Sequence, residues 1–110
     1  MSHLSTHVLD TALGKPAPGI PVALFQNGEL IADGRTDADG RVSSLGPDLL
    51  ESGGYTLLFD TAAYFGEKPA FYPRVIVDFT ITGPEHYHVP VLLSPFGYST
   101  YRGRSSTRRG

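Results

Sequence analysis

The chain has 110 residues, of which 40% are hydrophobic and 18% charged; this balance suits one packed domain and excludes a disordered chain. A net charge of −2 provides no global basic field and argues against a nucleic-acid partner, and no stretch approaches the ~20 apolar residues that cross a bilayer. Cysteine is absent, so neither a disulfide nor a thiol is available for structure or chemistry.

Thirteen glycines and nine prolines favour many short strands over a few long helices. Residues 1–20 contain no apolar run, because His3, Thr6, Asp10 and Lys15 interrupt each one. No signal peptide is expected, and a soluble cytoplasmic protein is the default. Leu4 to Leu9 reads as a short strand, and Gly14-Lys-Pro-Ala-Pro-Gly19 then breaks the chain twice. Pro21 to Gln26 and Glu29 to Gly34 form a hairpin around Asn27-Gly28, since both turn residues tolerate positive φ. Asp37-Ala-Asp-Gly40 is a second tight turn, followed at once by Arg41. Pro47 to Gly54 reads as a loop with one helical turn at Asp48–Ser52.

Tyr55 to Phe59 is a strand, and Asp60 caps a short helix over Thr61–Phe65 that Gly66 closes. Arg74 to Thr82 alternates, with Val75, Val77, Phe79 and Ile81 on one face. His86 to Leu93 is a further strand, with Pro90 implying an edge position or a bulge. Phe96 to Gly103 is the last. Seven to eight short strands and one helix predict an all-β, two-sheet sandwich spanning residues 1–110 as a single domain. Arg102, Arg104, Arg108 and Arg109 cluster near the end, and 104–110 reads as a flexible basic tail. Such a tail is either merely solvated or attracts an anionic substrate.

Several residues carry chemical potential. His86 and His88 are two apart in a strand and therefore share a face, which suits a metal, acid–base work or a plain surface pair. His7 in the first strand, Arg41 after its turn, and Tyr98, Tyr101 and Arg102 near the end have equally ordinary structural readings. Periodicity and spacing do not join them into one site.

A resemblance does. Leu4-Ser-Thr-His-Val-Leu-Asp10 with Gly14-Lys-Pro-Ala17, Thr36-Asp-Ala-Asp-Gly-Arg41, and His86-Tyr-His-Val-Pro-Val-Leu-Leu-Ser-Pro-Phe-Gly-Tyr-Ser-Thr-Tyr-Arg-Gly103 resemble the 5-hydroxyisourate hydrolases of the transthyretin-related family. The likeness runs from about Leu4 to Gly103, and its closing block is long and specific. It implies a transthyretin-like sandwich and a homotetramer, a dimer of dimers with active sites in the channel between dimers. It implies hydrolysis of 5-hydroxyisourate in urate degradation. His7, Arg41 and His88 are the implied catalytic residues, with His7, Arg41, Tyr101 and Arg102 around the substrate. No metal and no cofactor is expected. The family usually ends Tyr-Arg-Gly-Ser with that serine in the site; here Arg104 follows Gly103, so the serine's role is not carried over. Two other functions compete with the hydrolase: a small-ligand carrier of the transthyretin type, and a β-sandwich binding metal through His86 and His88 with His3 or His7.

Overall fold

The structure, a computed structural model, describes residues 3–103. Arg104 and the rest of the basic tail expected at 104–110 lie outside them.

Nine strands and one helix form two sheets among these residues: β1 (Leu4–Asp10), β2 (Lys15–Pro16), β3 (Pro21–Gln26), β4 (Glu29–Arg35), β5 (Arg41–Val42), β6 (Gly53–Phe59), α1 (Thr61–Phe65), β7 (Val75–Ile81), β8 (Tyr87–Ser94) and β9 (Gly97–Thr100). The expected seven to eight strands are joined by β2 and β5, two-residue pieces that pair with β1 at Leu9–Asp10 and at Thr6–His7. One sheet runs β2-β1-β8-β9 with β5 also on β1, and the other runs β4-β3-β6-β7. The sandwich architecture is therefore as expected.

Local chemistry sets the elements. Asn27 and Gly28 both take positive φ, 53° and 80°, which lets a two-residue turn follow the twist of its strands. Asp60 accepts the Ala63 amide at 3.1 Å and caps α1, and the Gly66 amide closes the helix on the Ala62 carbonyl. Val75 and Ile81 are fully buried while Ile76, Asp78 and Thr80 face outward, so the alternation of β7 holds. The core lies between the sheets and includes Leu4, Val8, Leu24, Leu57, Phe59, Val91 and Leu93.

Two expectations are corrected. No helical turn forms at Asp48–Ser52, because the Leu50 amide instead donates to His3 Nδ1 at 2.8 Å and Leu50 is buried. Pro90 marks neither an edge nor a bulge. Its strand, β8, lies between β1, which it meets in parallel, and β9. The β8–β9 ladder stops at Val91↔Thr100 and is resumed by one bridge, His88↔Gly103. Pro90 falls in that gap, where a missing amide leaves no partner unsatisfied.

β1 is tied at its far end by Asp10, which is buried. Its Oδ1 accepts the Ala12 and Leu13 amides at 3.0 Å, and its Oδ2 accepts the Tyr64 hydroxyl at 2.6 Å. Burial and the Asp10 carboxylate push the Tyr64 hydroxyl up to about 12, so it stays a donor at every working pH. Asp10→Ala is expected to cost about 3 kcal/mol, because it strands two amides and a hydroxyl, whereas Tyr64→Phe costs about 1 kcal/mol. Urea unfolding of the two variants checks the ranking, through a shift in midpoint at constant slope.

Candidate active site

The site is built on the outer face of the β1–β8 pair. Leu4, Thr6, Val8 and Asp10 of β1 point inward, and Tyr87, Val89, Val91 and Leu93 of β8 do the same. The intervening residues therefore share the opposite face. The parallel register sets Ser5 beside His88 and His7 beside Pro90. On the other side of β1, His7 pairs directly with Arg41 of β5. Three expected site residues from distant parts of the chain thus meet on one surface.

Arg41 is held there by its turn. Asp37 Oδ1 accepts the Asp39 and Arg41 amides at 2.9 and 3.0 Å. Gly40 has φ of 75°, and a Cβ on it would collide with the Val8 carbonyl oxygen. Only glycine lets the turn approach β1 so closely.

The histidine rings of His7 and His88 lie 6.5 Å apart between centroids. His7 Nε2 donates to the Asp39 carbonyl at 3.0 Å, which leaves Nδ1 as its acceptor. His88 Nδ1 lies 2.8 Å from Ser5 Oγ, so its Nε2 is the atom left for a ligand. His86 Nε2 meets the same hydroxyl at 2.7 Å. Both His7 and His88 have their pKa lowered. For His7 the causes are burial and then Arg41; for His88 they are burial, then Arg41, His7 and His86. Neutral imidazoles beside a permanent cation can take a proton and can steady an oxyanion.

The two remaining expected residues separate. The Gly103 bridge keeps the offset of the β8–β9 ladder, so position 101 falls opposite Pro90 and position 102 opposite Val89. Tyr101 therefore belongs by register to the face of His88 and is more than half exposed. Arg102 goes the other way: its guanidinium sits 4.5 Å from the centre of the Tyr87 ring and 3.4 Å from Glu85. A cleft of about 300 Å³ between β7 and the 100–102 segment is lined by His88, Tyr101 and Arg102, but not by His7 or Arg41. Among the described residues no group of three or more His, Asp or Glu is placed to hold a metal ion. His3, offered as a third ligand, is instead turned to the Leu50 amide and to the Gly83 carbonyl at 2.9 Å.

Ser5 is the site residue that sequence reasoning missed. Its position two residues before His7 on a strand was the available signal, because that spacing alone places it on the histidine face.

The family model described as HIUase/Transthyretin family matches residues 4–103. The chain belongs to that family. Its similarity to the HIUase/Transthyretin members is strong on the enzyme side. The 5-hydroxyisourate hydrolase of Salmonella dublin is 46% identical over 108 residues, covering 91% of this chain and 79% of that protein. The solved 5-hydroxyisourate hydrolase of Klebsiella pneumoniae superposes with a TM-score of 0.87 at 40% identity, over 94% of this chain and all of that one. Sea bream transthyretin in complex with thyroxine reaches 0.85 at 32% identity, over 97% of this chain and 99% of that one. Fold alone does not separate the two activities within this family; the residues on the outer face must.

The lowered histidines set a pH dependence of stability. Unfolded, each titrates near ~6.5; folded, each titrates lower, so below ~6.5 the unfolded chain binds more protons. Their contribution is whole above that value and is lost as pH falls towards the folded pKa. The double variant His7→Gln/His88→Gln should lose less stability than the parent between about pH 7 and 5, read as the shift in urea midpoint.

Proposed function

We propose that this chain is a 5-hydroxyisourate hydrolase, opening the N1–C6 bond of its substrate to give 2-oxo-4-hydroxy-4-carboxy-5-ureidoimidazoline in urate degradation. The observation that carries the reading is the meeting of His7, Arg41 and His88 on one face, in a chain whose near relatives bear that enzyme's name.

The chemistry follows from the atoms available. His88 Nε2 draws a proton from water, and the hydroxide formed attacks C6. Arg41 receives the developing oxyanion with its planar donors. The tetrahedral intermediate collapses with cleavage of C6–N1, and the proton held by His88 passes to N1. His7, tied to the Asp39 carbonyl through Nε2, presents Nδ1 to a substrate N–H and fixes the ring. Tyr101 hydrogen-bonds the opposite edge. Arg102 packs on Tyr87 and shapes the neighbouring wall without touching the reacting atoms. No metal or cofactor enters any step.

Arg41 and Tyr101 are exposed on an open sheet face, whereas small-molecule sites are concave. A second copy of the chain must supply the facing wall, which supports a homotetramer with the site in a channel between dimers. A cytoplasmic location goes with the same reading. Carriage of a small ligand, the competing role for this fold, would leave the basic and proton-accepting groups on this face without a task.

His88→Ala and Arg41→Glu should each lower kcat/KM by roughly 10²–10⁴-fold while urea unfolding stays cooperative. The measurement is ultraviolet absorbance with freshly generated 5-hydroxyisourate, corrected for spontaneous decay. Wild-type turnover in His88→Ala would remove the proposed base.

A further inference from the structure

Ser5 holds two imidazoles at once. Its hydroxyl lies 2.7 Å from His86 Nε2 and 2.8 Å from His88 Nδ1, and the residue is only 8% exposed. A hydroxyl has one proton to give and lone pairs to receive. At least one imidazole must therefore donate to Ser5 Oγ, and the other can accept the serine's own proton. The two nitrogens cannot both be bare without losing a hydrogen bond, and with one protonated and one bare the serine's own proton is used within the pair.

We infer that His86, Ser5 and His88 form a proton wire that sets the tautomer of His88 and carries its positive charge away from Arg41 during turnover. The inference rests on the role of His88 proposed above. At rest His88 donates from Nδ1 to Ser5 Oγ, and Ser5 donates to His86 Nε2. This leaves the His88 Nε2 lone pair on the substrate face. When that lone pair takes a proton from water, the Nδ1 proton moves to Ser5 Oγ and the serine's own proton moves to His86 Nε2. His88 is again neutral, His86 carries the charge, and hydroxide is left at the substrate. Run in reverse, the wire frees the proton on His88 Nε2 for N1. The water proton ends on the leaving nitrogen, and Ser5 and both histidines return to their starting states.

The surroundings explain why charge should leave His88. Burial, then Arg41 of β5, His7 of β1 and the neighbouring His86 disfavour a cation there, while a hydrogen bond to the Ser5 backbone acts the other way. Asp37 and Asp39 act on His7 from the turn, favouring its charged form. Ser5 and His86 are positioning residues here, since neither touches the reacting atoms.

The test has two arms. In the first, ¹⁵N NMR of the imidazole nitrogens, above the histidine titration range and without substrate, reads the His88 tautomer. Wild type should show a proton fixed on Nδ1; Ser5→Ala should lose that single state and Ser5→Thr should keep it. An unchanged His88 tautomer in Ser5→Ala overturns the inference whatever turnover does. In the second arm, Ser5→Ala and His86→Gln should each lower kcat by roughly 10–100-fold with KM within about twofold. The pH profile of kcat should change shape in His86→Gln, and Ser5→Thr should restore most of the rate. Rates within twofold of wild type in both variants, with His88→Ala inactive, overturn the wire and leave the hydrolase standing. Failure of the wild-type protein to turn over 5-hydroxyisourate removes the hydrolase and with it the wire as a catalytic device.

Discussion

β1 runs parallel to β8, and a parallel pair can be closed only by a long excursion of the chain between its strands. Here the excursion contains the whole second sheet. The pairing is held at both ends: the Tyr87 amide donates to the His3 carbonyl and the Thr11 amide to the Leu93 carbonyl, each at 2.8 Å. Slipping this register by one residue would turn Leu4 and Val8 to solvent and His7 into the core. The apolar residues that make the sandwich stable thus also fix which face the histidines occupy. Site geometry is inherited from the hydrophobic pattern and needs no separate device.

The electrostatic character of the site comes from the other neighbour of β1. β5 is two residues long and exists because Gly40 lets the 37–40 turn close against the Val8 backbone, with the Val8 amide donating to the Gly40 carbonyl at 2.8 Å. That contact sets a guanidinium beside two partly buried imidazoles. Cation and burial act in the same direction, keeping the histidines neutral and able to accept a proton. The group that suppresses charge on the bases is also the one suited to receive the oxyanion. A site of this kind needs no metal to hold the two roles apart.

Local signals were legible in the sequence and long-range pairings were not. Asn27-Gly28, Asp60 with Gly66, and the alternation from Val75 to Ile81 each follow from chemistry within a few residues, and each took the expected form. Pro90 misled because its constraint is set by the partner strand: the gap between the end of β9 and the Gly103 bridge accommodates it inside a sheet. The missing helical turn at Asp48–Ser52 has the same origin, since His3, far away in sequence, takes the Leu50 amide. Within the site, the shared face of His86 and His88 was readable from period two. The junction of His7, Arg41 and His88 came from resemblance, and the turn of Arg102 away from that face onto Tyr87 was visible to neither.

Ser5 indicates what this face is for. A sheet surface that served packing alone would do as well with an apolar residue at this position, because Leu9 and Leu92 already occupy the same face. A nearly buried hydroxyl must instead be satisfied, and here it is satisfied by two imidazoles. Either direction of donation satisfies the hydroxyl. The direction of the hydrogen bonds decides instead whether His88 offers a lone pair or a proton to whatever lies over the sheet. A carrier gains nothing from that distinction, whereas a hydrolase must present the lone pair to water first and the proton to the leaving nitrogen afterwards.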